Sequence, residues 1–343
     1  MSMIRLSICI PTYNRRPFLP NLLNSIFSQD DNMVEVVVSD NASTDGTCGM
    51  IKQIAASNPR LHYFRSSENL GADTNFLKAI DYAQGEFCWL MGSDDQIQPG
   101  GIERVLRAIK EYPNASGFTL NVVGHTFDMN NPYYPEIAMG QLDGDFLKSD
   151  QVFENGRSAF YRIADHFGYI GAQVIRKSCW DDSIKEIGQK IDYFKTGFVH
   201  VAVISQILRS TCRWCYIHQR CVGFRTGNDS FLAQGRLYRL TIFVVSFSRI
   251  LNEFWNDDPK LCSDITNLNL KVHVRTFVGH WYLDTPLGKL EPFLMFKCFL
   301  LCSSHYWKMP YYWTHIAPFF IIPRWLTFFA RCIIRSVKRL LAS

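Results

Sequence analysis

Between residues 6 and 112 the hydrophobic period of the sequence switches repeatedly, and this alternation limits the fold more than any other feature. Leu6–Ile10 is an apolar run of strand length that Pro11 should end, and Phe18–Gln29 places apolar residues at helical spacing. Val34–Ser39 reads as a strand, Thr47–Ser57 as a helix, His62–Arg65 as a strand and Thr74–Ala83 as a helix. Phe87–Met91 is a strand again, and Gly101–Tyr112 resumes a helix. Strands alternating with helices predict an α/β fold, Rossmann-like, with a mostly parallel sheet and helices on both faces. Ligands of such sheets bind beyond the carboxyl ends of the strands. Three polar stretches fall there: Pro11–Arg15, Asp40–Asp45 and Gly92–Asp95.

The last of these carries the chemistry. A hard divalent cation that holds a diphosphate takes one or two carboxylates from the protein and fills its shell with phosphate oxygens and water. Asp94 and Asp95 follow the strand FCWLM on a turn allowed by Gly92, which puts them at the mouth of the sheet rather than on an ordinary solvated turn. Asp40 ends the strand VEVVVSD and opens N-A-S-T-D-G-T. There Thr44 or Asp45 can cap the next helix, while Asp40 is free to accept a hydrogen bond from a base edge or ribose.

The strings S-I-C-I-P-T-Y-N, V-V-V-S-D-N-A-S-T-D-G-T, E-N-L-G-A-D-T-N-F-L-K-A and A-Q-G-E-F-C-W-L-M-G-S-D-D, in this order over residues 4–120, resemble the family 2 glycosyltransferases, which have the glycosyltransferase-A fold. The resemblance implies that Pro11, Thr12 and Tyr13 line a nucleobase pocket with Asp40 holding the base. Asn69 and Gly71 would form a loop beside the nucleotide, Asp94 would face ribose or metal, and Asp95 would be the main ligand of a divalent metal, Mn²⁺ or Mg²⁺. Ser93 stands where the family commonly has an acid, so metal binding would rest on Asp94 and Asp95 alone. G-S-D-D, G-Y-I-G-A-Q-V-I-R and R-T-G-N-D-S-F are similar to the abequosyltransferase-type branch of bacterial O-antigen assembly. That similarity implies a CDP-linked dideoxyhexose donor and an undecaprenyl-diphosphate-linked oligosaccharide acceptor.

Inverting transfer needs a general base beside the acceptor hydroxyl. The family usually has an E-D pair for this at a helix start; the corresponding stretch here runs from Asp192 to His200 and lacks one. His200 has the location and can accept a proton near neutral pH, though a lone His beside an apolar helix is often a packed residue; Asp192 has the chemistry. Arg225, in R-T-G-N-D-S, could close over a diphosphate as part of a lid or lie on an ordinary surface loop. The missing pair also admits a degenerate nucleotide-sugar-binding protein as an alternative to an enzyme.

These readings divide the chain into a donor-binding half (1–120), an acceptor and catalytic half (121–235) that is less regular, and a helical, aromatic and basic region (236–343). Seven Lys and Arg residues and no Asp or Glu follow Glu291, so the net charge of +5 belongs to this stretch. Its apolar runs are broken by Lys297, Pro310, Pro318, Pro323 and Arg324, too short to span a bilayer but suited to an anchor lying on an anionic membrane surface. Packing of the same aromatic helices on the catalytic domain is the competing reading. No nucleic-acid readout motif occurs. The 11 cysteines lack a disulfide framework's spacing, and Cys212, Cys215 and Cys221 read as buried apolar residues rather than a zinc site. The start of the sequence is too soon polar for a signal peptide, so the expected location is cytoplasmic, at the inner face of the membrane.

Overall fold

A computed structural model describes residues 4–29, 31–133, 148–188, 196–210, 212–286, 289 and 291–322. The chain divides into two compact units, Met1–Asp229 and Ser230–Ser343.

The first unit begins with the expected alternation: β1 (Leu6–Thr12), α1 (Leu19–Phe27), β2 (Val34–Asp40), α2 (Thr47–Ser57), β3 (Leu61–Arg65), α3 (Ala72–Asp81), β4 (Phe87–Leu90), β5 (Gln96–Ile97) and α4 (Gly101–Glu111). It continues through β6 (Ala115–His125), β7 (Pro132–Tyr133), β8 (Gln151–Phe153), α5 (Gly156–Ile163), β9 (Gln173–Arg176), α6 (Lys177–Ile187), α7 (Val199–Arg209) and β10 (Arg213–Arg225). The main path through the sheet is β3-β2-β1-β4-β9-β6-β10-β5, with β7 on β6 and β8 on β10. Every residue of β1 and β2 is buried, as in strands covered by helices on both faces, and such strands read as near-continuous apolar runs.

The structure differs from the sequence reading in two places that bear on the site. β1 does not stop at Pro11; it pairs on with β2 to Thr12↔Asp40. The Cys9 carbonyl accepts from the Met91 amide on the β4 side, and the β4 ladder ends at Cys9↔Leu90. Pro11, two residues on, faces the same side beyond the last β4 pair, where its missing N–H costs nothing. The second half is also more regular than expected. β6 and β10 are long strands that pair in parallel through three register irregularities, and β9 enters antiparallel between β4 and β6. The sheet is therefore mixed, parallel over β1 to β4.

Cys212, Cys215 and Cys221 are free and buried. Burial pushes their thiols up to about 11, 12 and 12, respectively, which leaves them protonated at neutral pH.

The second unit is helical: α8 (Arg236–Thr241) and α9 (Phe247–Phe254) joined through a π-helical turn at Ile242–Ser246, α10 (Pro259–Asn269) and α11 (Arg275–Asp284) joined through another at Leu270–Val274, then α12 (Pro292–Tyr306), α13 (Pro310–His315) and α14 (Ala317–Ile321). Leu240, Val274, Trp281, Cys298, Cys302, Tyr306 and Tyr312 are among its core residues. Residues 292–317 thus help build this core, so packing and an outward apolar surface coexist in the region expected to act as an anchor. No helix among the described residues is long and apolar enough to cross a membrane, and residues 323–343 lie outside the described residues.

Candidate active site

The loops that follow β1 and β2 are fastened to each other by side chains. The Asn14 amide donates to Ser43 Oγ at 2.8 Å, the Thr44 amide to Asn14 Oδ1 at 2.8 Å, and the Arg16 amide to Asp45 Oδ2 at 3.0 Å. Asn14 and Ala42 hold positive φ angles of 53° and 64°, so this lacing keeps two residues in the left-handed region. Asp45 Oδ1 accepts from the Thr47 amide at 3.0 Å, one residue ahead of the N-cap position of α2, which Gly46 occupies. Tyr13 is exposed at the lip, while Pro11 and Thr12 are buried at the end of β1.

Asp40 is wholly buried and already engaged. Its Oδ1 accepts from the Ser43 amide at 2.8 Å, its Oδ2 accepts from the Tyr63 hydroxyl at 2.6 Å, and the Arg65 guanidinium lies 3.8 Å away. Burial, then the hydrogen bond to Asp40, pushes the Tyr63 phenol far above its ordinary value. A base edge would meet Asp40 only through the lone pairs that these partners leave over. Asn41, a capping-type residue by its sequence, instead ties the second motif to the third. Its Nδ2 donates to Asn69 Oδ1 at 2.8 Å and to the Gly71 carbonyl at 3.1 Å, and its Oδ1 accepts from the Leu70 amide at 2.8 Å. Gly71 has φ 85° and ψ 165°, a conformation that favours glycine. Asp73 of the same motif reaches across to the start of α7, accepting from the Gly197 amide at 2.8 Å and the Val199 amide at 3.1 Å.

The two aspartates after β4 are joined to the end of β10. Asp94 Oδ2 accepts from Asn228 Nδ2 at 2.5 Å, and the Asp94 carbonyl accepts from Arg225 Nε at 3.1 Å. Arg15 extends the chain of contacts, donating to Asn228 Oδ1 at 3.5 Å. Asp95 is buried, folded back so that its carboxylate lies where a side chain on Gly92 would be. Burial, then the charge of Asp94, raises the Asp95 carboxyl well above its ordinary value; the neighbouring Tyr169 hydroxyl and the Arg225 backbone amide partly oppose this. Ser93 is buried between Gly92 and Asp94. Arg225 is the last residue of β10 and only 8% exposed. It donates to the Phe127 carbonyl and lies over the Phe18 ring, 4.9 Å from its centroid, while buried Nη2 has no hydrogen-bond partner among the described residues. This corrects the lid reading: packing and two backbone acceptors hold the guanidinium in place, so it does not swing on an open loop.

His200 is likewise a packed residue rather than an accessible base. It is 1% exposed, with Phe76 and Phe198 at centroid distances of 5.9 and 6.0 Å. Burial lowers its pKa to about 4, so the ring is neutral at pH 7, but both ring nitrogens are buried away from solvent. Asp192 lies outside the described residues. The burial of His200 predicts a stability change with a definite sign. The unfolded chain protonates this His below about pH 6.5, whereas the folded chain does so only near pH 4. Its contribution is present above the unfolded value and lost as pH falls through this window, by about 3 kcal/mol in all. Denaturant melts of His200→Leu should show that much less acid destabilisation between pH 6.5 and 4. An unchanged pH profile would remove the inference.

Among the described residues no group of three or more His, Cys, Asp and Glu side chains could form a complete metal cage. Two adjacent carboxylates nonetheless match what a hard divalent cation takes from protein when a diphosphate and water supply the remaining oxygens. Burial, then the adjacent Asp94, strengthens the hold of Asp95 on a proton, and a bound cation would offset that cost. Asp94 and Asp95 therefore fit a divalent metal.

Comparison with known proteins agrees with this architecture. The family model described as "Glycosyl transferase family 2" matches residues 7–170. The abequosyltransferase RfbV of Salmonella typhimurium is 30% identical over 279 residues, which cover 78% of this chain and 80% of that protein. The GalNAc(5)-diNAcBac-PP-undecaprenol beta-1,3-glucosyltransferase of Campylobacter jejuni is 30% identical over 110 residues, 32% of this chain and 36% of that protein. Among solved structures, S. aureus TarS in complex with UDP-GlcNAc superposes with a TM-score of 0.57 at 15% identity, covering 88% of this chain and 81% of that chain, a likeness of fold. The family match runs through both motif loops and the aspartate pair, and the long match to RfbV extends well beyond it: the chain belongs to glycosyl transferase family 2 and is a glycosyltransferase.

Proposed function

We propose that this enzyme transfers a sugar from a nucleoside-diphosphate sugar to a hydroxyl of a lipid-linked oligosaccharide in bacterial O-antigen or related polysaccharide assembly. The observation that carries this reading is the Asp94–Asp95 pair bound into one network with Asn228 and Arg225 at the carboxyl end of the sheet. Asp94 and Asp95 would hold a divalent cation, Mn²⁺ or Mg²⁺, which would offset charge growing on the departing diphosphate. Arg225 serves the donor site by holding the Asp94 carbonyl, which keeps the aspartate pair facing the diphosphate. Pro11, Thr12, Tyr13, Asp40, Asn69, Gly71 and Ser93 surround the nucleoside. The base takes the proton of the acceptor hydroxyl while that oxygen bonds to the anomeric carbon and the bond to the diphosphate breaks. With His200 walled in, Asp192 is the residue assigned this role.

Likeness to the Salmonella abequosyltransferase supports a CDP-dideoxyhexose such as CDP-abequose as donor. The Campylobacter relative, named for GalNAc(5)-diNAcBac-PP-undecaprenol, supports an undecaprenyl-diphosphate-linked acceptor. Such an acceptor supports a cytoplasmic enzyme working at the inner face of an anionic membrane. The test is a panel of CDP-, UDP-, GDP- and dTDP-sugars with Mn²⁺ and lipid-linked acceptor, reading nucleoside diphosphate release. Release from one class that disappears in Asp192→Ala supports the reading; silence throughout would favour a binding protein without turnover. Arg225→Gln should weaken nucleoside diphosphate affinity about tenfold by calorimetry, by removing the charge-assisted hydrogen bond that fixes the Asp94 carbonyl. Unchanged affinity in a variant that melts as wild type would remove Arg225 from the donor site.

A further inference from the structure

Helix α12 is apolar on two opposite sides. Met295, Cys298, Cys302 and Tyr306 face the core of the helical unit. The other side carries Phe293, Phe296, Leu300 and Trp307, at spacings of three, four and seven residues that keep them on one face. These side chains are 69%, 56%, 50% and 57% exposed. At 1.5 Å per residue the stripe is about 21 Å long. Trp313, also exposed, extends it by donating its indole N–H to the Trp307 carbonyl at 2.8 Å. A row of large apolar side chains this long is unusual on a surface meant only for water.

The charges beside it indicate what covers it. The Lys297 ammonium lies 4.4 Å from the Phe293 ring centroid, and the Lys308 ammonium 5.2 Å from that of Trp307. No Asp or Glu occurs after Glu291. Aromatic rings bordered by lysines, on a stretch with no acidic residue after Glu291, match the boundary between acyl chains and anionic headgroups. A two-fold contact between copies would instead set this basic face against itself. The helix is 15 residues long, too short to span a bilayer, so it lies along the surface.

We propose that the outward stripe of α12, Phe293, Phe296, Leu300 and Trp307 with Trp313 beside it, is the surface by which this chain rests on an anionic lipid bilayer. The assignment rests on the membrane-surface reading above and specifies the helix face that makes the contact.

The test uses the full chain and sedimentation with vesicles of phosphatidylglycerol or of phosphatidylcholine alone. Wild type should bind the anionic vesicles and release as salt rises. The combined change Phe293→Ser, Phe296→Ser and Leu300→Ser should weaken binding at least tenfold without altering the melting temperature. Lys297→Glu with Lys308→Glu leaves the apolar stripe intact and should abolish the preference for anionic over neutral vesicles. Wild type that ignores both kinds of vesicle would overturn the membrane reading itself. Wild type that binds while the serine variant binds equally would overturn only this face. A serine variant that keeps vesicle binding but loses a dimer in sedimentation velocity would reassign the stripe to a contact between copies.

Discussion

Asp95→Asn should lower kcat by about a thousandfold, the scale on which one preorganised electrostatic group counts in a transition state, while leaving the fold at least as stable. Asparagine keeps the volume and one acceptor oxygen, so Gly92 and Tyr169 retain a neighbour of the same shape. What disappears is the ionisable oxygen, whose charged form burial and then the neighbouring Asp94 disfavour, as the raised carboxyl of Asp95 records. Asparagine never carries that charge, so the substitution adds no electrostatic cost to the fold. The variant should also lose any thermal stabilisation that Mn²⁺ with a nucleoside diphosphate gives wild type. A kcat within tenfold of wild type, measured at saturating donor and acceptor, would sink the assignment of Asp95.

Asp40→Ala should cost about 3–5 kcal/mol of stability, the range for removing one partner from a buried, hydrogen-bonded charge arrangement. The carboxylate is wholly buried; removing it leaves the Ser43 amide and the Tyr63 hydroxyl without their acceptor and the Arg65 guanidinium without its counter-charge. Each stranded group adds a desolvation penalty of about 1–3 kcal/mol. Asp40→Asn keeps one acceptor oxygen and should cost less. Urea denaturation decides the matter, and a loss below about 1 kcal/mol for the alanine variant would show that the site relaxes around the gap. This effect precedes any nucleotide contact, so donor affinity of an Asp40 variant is interpretable only beside its stability.

The donor half was legible because β1 and β2 are buried along their whole length, so their apolar runs are unbroken, and because helices α1 to α4 carry their apolar residues at helical spacing. The aspartate pair was legible from its place after β4. β6 and β10 were harder to read: ASGFTLNVVGH opens on small residues, RWCYIHQRCVGFR mixes charge into a strand, and three register irregularities blur any alternation. Asn228 and Tyr169 were visible inside quoted strings, but nothing local shows that they stand beside Asp94 and Asp95, which the chain reaches only through long-range pairing. His200 illustrates the opposite failure. Its position at a helix start suggested chemistry, whereas Phe76, far away in sequence, closes one side of it and Phe198 the other.

The insertion of β9 beside β4, and of β6 between β9 and β10, bears on how this protein is made. The flank of β4 that faces away from β1 stays bare until Gln173–Arg176 has emerged, and Asp94 lacks Asn228 for longer still. At ~5–20 residues per second of synthesis, a nascent chain carries that open edge for on the order of ten seconds. An exposed apolar strand edge is a template for pairing with other chains. Translational pauses between residues 91 and 172 should therefore favour aggregation of the nascent chain, whereas pauses beyond Asp229 should be harmless to the sheet.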